Sequence, residues 1–205
     1  MPAILEHPPA EGASEVESST STRFVWDFAR YKRAYDLGIF GDKRIELIAG
    51  ELLQMPPVTV PHWVTVNKCD RRLKRIFPLD YIVSVQGTLK FDESNAPLPD
   101  IAVVQGDLDT LTEIPTFSVL VVEVSNATLT YDRGDKASLY AAQGIRDYWI
   151  VNLRDDCLEV RRDPQPDASA KHGFAYASTQ TLARTDRIAP LELPQVSIEI
   201  ADLLP

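Results

Sequence analysis

Two short apolar runs, each carrying one carboxylate at its edge, constrain this chain more than any other feature. Asp100 opens Ile101-Ala102-Val103-Val104, and Glu123 follows Val119-Leu120-Val121-Val122. Short apolar runs bounded by turn residues read as buried strands. An ionised carboxylate at the edge of such a strand is costly unless something pairs with it. If the two runs are neighbouring antiparallel strands, the start of one lies opposite the end of the other. Asp100 and Glu123 then face each other across about 5 Å, the usual cross-strand spacing. Two such carboxylates make a site for a hard cation such as Mg²⁺ or Mn²⁺, which takes oxygen ligands.

The rest of the chain sets the frame for that site. With 205 residues, it suits one domain and some trimmings, enough to bury about 70% of its unfolded surface. Residues 1–22 scatter Glu6, Glu11, Glu15 and Glu17 among Ser, Thr, Pro and Ala. That composition predicts a disordered tail, without the basic start and apolar stretch of a signal peptide. Residues 23–205 are then a single domain. No apolar run approaches the roughly 18 residues that span a membrane. Cys69 and Cys157 follow no metal-ligand spacing and suggest no disulfide framework, so both read as reduced, packed thiols in a cytoplasmic protein.

Periodicity gives the order of elements. Phe24, Phe28, Tyr31 and Tyr35 predict a first helix from Phe24 to Asp36, ended by Gly38 and Gly41. Arg44 to Ala49 and Glu51 to Met55 read as a hairpin turning at Ala49-Gly50. Pro61 starts a second helix from His62 to Phe77, with Trp63, Val66, Cys69, Leu73 and Ile76 on its apolar face. A strand or two follow from Tyr81 to Phe91, then the two carboxylate strands. Asp132 reads as the cap of a third helix, with Asp135 completing a capping box and Gly144 stopping it. Tyr148-Trp149-Ile150-Val151 is a buried strand, and Cys157–Arg161, Phe174–Ser178 and Val196–Ile200 read as shorter ones. The fold class is α/β (α+β): a mixed central β-sheet flanked by helices.

A net charge of −9 argues against a broad electrostatic footprint on nucleic acid, because phosphate contacts supply most non-specific affinity. The second helix is a local exception. Lys68, Arg71, Arg72, Lys74 and Arg75 share its outward face, either as a solvated charge run or as contacts to a nucleic-acid backbone.

Phosphodiester hydrolysis needs a metal to neutralise phosphoryl charge and activate water, and a lysine beside it can steady the developing charge. Lys136 is best placed by sequence, since its helix follows the Glu123 strand directly. The residues also resemble a family. Pro99-Asp100 followed by Glu123-Val124-Ser125 is similar to the PD-(D/E)XK nuclease superfamily. The wider pattern resembles its Uma-type family of restriction endonucleases. The matching segments are Glu46 to Leu52, Pro61-His62, Pro99 to Val103, Val122 to Ser125, Tyr131 to Lys136 with Tyr140, and Tyr148 to Asn152. The resemblance implies a restriction-endonuclease-like core with a four-stranded mixed sheet and metal-dependent cleavage of DNA. It implies Asp100 and Glu123 as metal ligands. Ser125 stands where the superfamily's lysine would be, which selects Lys136 on the next helix. Ala49 and Asn152 replace residues that are often Asp in the family.

Each assignment has a plain alternative. Asp100 can bond backbone amides in a turn, and Glu123 can serve a structural salt bridge. Lys136 lies four residues after Asp132, a helix-supporting spacing. Glu46 alternates with Ile45 and Leu47, so it either reaches the carboxylate pocket as an auxiliary acid or is exposed. His62 can touch substrate or a water, or simply satisfy a structural hydrogen bond. At the level of the protein, the alternative to an endonuclease is a non-catalytic nucleic-acid or protein interaction module on a nuclease scaffold. Cleavage of both strands of a duplex suggests a homodimer by analogy.

Overall fold

A computed structural model describes residues 22–205; the tail expected over 1–22 lies, but for Thr22, outside the described residues. Helix α1 (Phe28–Asp36) starts later than periodicity predicts. Asp27 is extended at φ −105° and ψ 166°, and its side chain caps the helix by accepting the Arg30 amide at 2.8 Å. Phe24 therefore precedes the helix, 65% exposed. The hairpin forms as expected from β1 (Ile45–Ile48) and β2 (Glu51–Gln54). Its turn has positive φ at both Ala49 (51°) and Gly50 (73°), the signature of the turn that matches strand twist. A Cβ on Gly50 would sit 2.2 Å from Val25 Cγ1 and 3.2 Å from the Trp26 carbonyl oxygen, so a larger residue would also have to displace the exposed Val25 side chain.

Helix α2 (Val60–Ile76) carries Pro61 in its first turn and buries Thr65, Val66, Cys69 and Leu73. Trp63 departs from expectation. It stands on the exposed side of the helix and not on the apolar face.

The central sheet has six strands in the order β3 (Tyr81–Val85), β4 (Ile101–Gln105), β5 (Leu120–Ser125), β6 (Asp147–Asn152), β7 (Cys157–Pro166) and β8 (Phe174–Ala183). It is mixed. All neighbours are antiparallel except β5 and β6, which run parallel and need a crossover between them. A two-stranded addition follows, β9 (Arg187–Ile188) with β10 (Ile198–Glu199). The sheet exceeds the expected four-stranded core by two strands, the number that the long β7–β8 hairpin supplies.

The crossover is α3 (129–142). It consists of an α turn (Leu129–Tyr131), a π turn (Asp132–Lys136) and α-helix again (Ala137–Ala142). Asp132 is thus inside the helix and does not cap it. Its carboxylate instead accepts the Ser125 hydroxyl at 2.8 Å and the Thr128 hydroxyl at 2.6 Å. A single π turn inserts one residue into an α-helix and rotates the turns beyond it. Here it turns Asp132 and Lys136 inward, and both are buried. Gly144, with φ 73°, stops the helix.

Because strand side chains alternate, β4–β6 feed two cores. Ile101, Val103, Val122, Val124, Trp149 and Val151 pack with α2. Ala102, Val121, Tyr148 and Ile150 pack with Ala137 and Tyr140 of α3. Cys69 and Cys157 are buried free thiols. No helix among the described residues is long and apolar enough to cross a membrane.

Candidate active site

Ile101 pairs with Val122 in the β4–β5 register, so one further step sets Asp100 opposite Glu123. The two are tied in both directions. The Asp100 amide donates to Glu123 Oε2 at 3.2 Å, and the Val124 amide donates to Asp100 Oδ2 at 3.0 Å. Both carboxylates are buried, each 4% exposed, at the inner wall of a cleft between residues 55–59 and 123–128. The backbone-bonding alternative for Asp100 therefore holds for one of its oxygens. The other, Oδ1, has among the described residues only the longer contacts of Arg44 (3.5 Å) and Gln86 (3.4 Å).

Lys136 comes from the π turn. Its Nζ lies 2.8 Å from Glu123 Oε1 and 3.0 Å from Glu46 Oε1. The Asp132 spacing thus does not describe it; its ion pairs are across the fold, not along the helix. Glu46 is fully buried, which removes the exposed alternative, and its Oε1 also accepts the Leu98 amide at 2.9 Å. Its Oε2 is buried with no hydrogen-bond partner among the described residues. Tyr140, one helical turn beyond Lys136, donates its hydroxyl to Glu123 Oε1 at 2.7 Å. His62 sits in the first turn of α2 with Nε2 3.0 Å from Asp100 Oδ2. Its Nδ1 is buried and has no partner among the described residues.

Charge is unbalanced here. Glu46, Asp100, Glu123 and Asp132 are buried acids, faced by Lys136, the partly exposed Arg44, and His62. Burial pushes Glu123 up to about 8; Lys136 opposes this, while Asp100, Asp132 and Glu46 reinforce it. Burial also pushes Asp100 upward, but the hydrogen bond and charge of His62, the Val124 amide and Lys136 prevail and hold it below the ordinary range. Burial works against the Lys136 ammonium, and the carboxylates of Glu123, Glu46 and Asp132 outweigh it, raising its pKa well above normal. An excess of buried oxygen acids facing a solvent cleft matches the donor chemistry of a hard cation. Among the described residues no three His, Cys, Asp or Glu groups are already arranged around one point to ligate a metal.

The basic residues of α2 are divided. Lys68 donates to the Leu204 carbonyl at 2.6 Å, and Arg72 reaches the Ser197 carbonyl and Asp202. Lys74 pairs with Asp70 at 2.8 Å. Arg71 and Arg75 make no hydrogen bond or ion pair among the described residues. Three site contacts went unread in the sequence: Arg44, Gln86 and Tyr140. Tyr140 had a usable signal, because a position four residues after Lys136 shares its helix face. Ser125 and Asn152 have structural partners: Ser125 bonds Asp132, while Asn152 donates to Asp155 at 2.8 Å and to Glu159 at 2.9 Å.

Comparisons with known proteins bear on the family and the fold. Residues 28–201 match the family model Uma2, described as "Putative restriction endonuclease". No curated protein matches. Among solved structures, the chain is similar to a "putative nuclease belonging to DUF820" from Anabaena variabilis. The match has a TM-score of 0.60 at 15% identity and covers 78% of this chain and 88% of that one. At that identity the likeness speaks for the fold alone.

Proposed function

Since this chain belongs to the Uma2 family of restriction-endonuclease-like proteins, we propose that it is a divalent-metal-dependent DNA endonuclease hydrolysing phosphodiester bonds. The observation that carries this reading is the buried pair Asp100 and Glu123, tied together at the cleft wall with more acid than base around them. Asp100 and Glu123 would hold Mg²⁺ or Mn²⁺, and the Val124 carbonyl is a further oxygen at hand. A divalent cation bound there supplies charge neutralisation at the phosphoryl group and a water acidic enough to attack it.

The protein's own residues do the rest. Lys136 holds Glu123 in place and presents a permanent positive charge beside the cleft, suited to steadying negative charge on the scissile phosphate. Glu46 fixes the Lys136 ammonium from the other side. His62 holds Asp100 at Oδ2 and leaves Oδ1 turned to the long contacts only. Glu46 and His62 are thus positioning residues, and no proton step is required of either.

The test is cleavage of supercoiled plasmid and of single-stranded circular DNA, with Mg²⁺, with Mn²⁺ and with chelator. Wild type is expected to cut only with metal, and Asp100→Ala and Glu123→Gln are expected to be inactive. Absence of cleavage under every metal, or undiminished cleavage by Asp100→Ala, would overturn the reading. The acidic net charge of −9 favours a second reading, a non-catalytic interaction module on the same scaffold. Metal calorimetry separates the two: such a module need not lose cation affinity in Glu123→Gln.

A further inference from the structure

Trp149 is fully buried and Trp26 half-buried, so Trp63, 60% exposed, is the tryptophan most open to solvent. It follows His62 directly, at the end of α2 where Val58 and Thr59 line the cleft. Val58 and Val60 beside it are also exposed, at 42% and 75%. Trp63, Asn67, Arg71 and Lys74 succeed one another at helical steps of three and four, and all four are exposed. They form one stripe, opposite the buried Val66, Cys69 and Leu73. Arg75 extends it, and the sole acid on the helix, Asp70, is engaged by Lys74. An aromatic ring next in sequence to His62, which lines the cleft, therefore begins a basic track, with Trp63 and Arg71 about 12 Å apart along the axis.

We propose that this face of α2 binds single-stranded DNA and feeds it into the cleft. One unpaired base stacks on Trp63, and Arg71 and Arg75 meet the phosphates next along the strand. The proposal rests on the nuclease reading for the cleft, but binding itself does not require the metal. Two observations select an unpaired strand. An indole face can stack only on a base whose own face is free, which a base inside a duplex does not offer. Duplex binding, by contrast, draws on many phosphate contacts, and a chain of net charge −9 with five cations on one helix, two of them engaged by the C-terminal segment, is poorly equipped for that. Stacking supplies affinity that does not depend on net charge.

The experiment uses the full chain in chelator, with a fluorescein-labelled oligothymidylate, the matching duplex and an oligouridylate, read by anisotropy and by tryptophan emission. Wild type is expected to bind the single-stranded DNA more tightly than the duplex, with quenched tryptophan emission. Trp63→Ala is expected to weaken single-stranded binding roughly tenfold and leave duplex binding within about twofold, a stacking contribution of the usual size. Trp63→Phe should restore most of the affinity while losing most of the quench. Arg71→Ala should flatten the salt dependence. Equal binding by Trp63→Ala, no binding by wild type, tighter binding of the RNA strand, or sedimentation showing Trp63 holding two copies together would each overturn the proposal. Single-stranded binding that depends on Trp63 but is never followed by cleavage would sustain it while removing the endonuclease reading.

Discussion

Glu123 and Glu159 stand in one row of the sheet, each opposite Ile150 on the strand between them. They share a face, lie about 10 Å apart by strand spacing, and are each 4% exposed. Their chemistry is opposite. Glu159 accepts two bonds from the Arg133 Nε, at 3.1 and 3.0 Å, and another from its Nη2 at 2.6 Å, with Asn152 at 2.9 Å. Burial raises its pKa, but these donors and the charges of Arg133 and Arg161 outweigh that, and the carboxyl is lowered. Glu123 has one lysine for itself and Glu46, with Asp100 and Asp132 nearby, and is raised to about 8. Surface exposure is the same in both places, but Glu123 lies deeper in the protein, so burial acts more strongly on it and the shortage of donors and counter-charges adds to that. Glu159 is a saturated structural ion pair; Glu123 is an acid left short of positive charge.

The largest expected effect breaks that pairing at the level of activity. Glu123→Gln should lower plasmid cleavage by about 10³-fold, in keeping with the several kcal/mol that a bound cation supplies. Glu159→Gln should leave the cleavage rate within about threefold. A comparable loss in both, measured at saturating metal, would place the two glutamates in one functional unit and end the distinction.

Next comes the counter-charge. Lys136→Met strands Glu123 and Glu46 in a buried site and should cost about 3–5 kcal/mol in urea unfolding. Arg133 is 43% exposed in its side chain, so water can take over part of its work, and Arg133→Met should cost only about 1 kcal/mol. Adding Glu123→Gln to Lys136→Met should recover part of the loss, since one stranded charge is then gone. Equal costs for the two cation deletions would show that burial around Glu123 is not what holds Lys136.

The contrast between saturated and unsaturated acids also explains what the sequence made legible. The strands holding Asp100 and Glu123 were readable because apolar runs, their spacing and their polarity reversals are local. The Ala49-Gly50 hairpin was readable from the turn residues alone. Glu46 could be placed on a strand face but not inside or outside, because all four residues of β1 are buried, with α1 covering it and the 95–98 segment pairing along it. Arg44 and Gln86 meet Asp100 across 56 and 14 residues of chain, and no local pattern reports such a meeting. The π turn left no compositional mark. Asp132-Arg133-Gly134-Asp135-Lys136 reads as an ordinary capped helix start, and only the distant contacts of Asp132 with Ser125 and Thr128 and of Lys136 with Glu46 and Glu123 show that both face inward.

Titration should separate the two glutamates without any substrate. The ordinary Glu value is 4.5, and Glu123 keeps its proton in the folded chain up to about 8. Between those values the unfolded chain has released a proton that the folded one retains, so this group makes the protein less stable as pH rises. Melting in chelator should therefore fall from about pH 5.5 to about pH 8.5, and Glu123→Gln should fall less. Glu159 has the reverse sign. Its lowered value makes its contribution complete above 4.5 and lost as pH falls through the folded value. Glu159→Gln should then lose its disadvantage relative to wild type only in acid. A Glu123→Gln curve parallel to wild type would mean that Glu123 is ionised throughout.

The smallest effect is the most discriminating. Tyr140 gives Glu123 a hydroxyl donor at 2.7 Å, and Asn152 gives Glu159 an amide donor at 2.9 Å. Each bond should be worth about 1 kcal/mol, and more when the acceptor is ionised. Glu159 stays ionised across the neutral range because Arg133 holds it so, and Asn152→Ala should therefore cost the same at about pH 5.5 and about pH 8.5. Glu123 gains its charge only toward about 8, so the cost of Tyr140→Phe should grow over that interval, with Glu123 pushed further upward by the lost donor. Urea unfolding of both variants at the two pH values reads the difference directly. A cost that grows for Tyr140→Phe and stays flat for Asn152→Ala ties the raised pKa of Glu123 to its shortage of donors; flat costs in both would remove that link and leave burial alone to account for it.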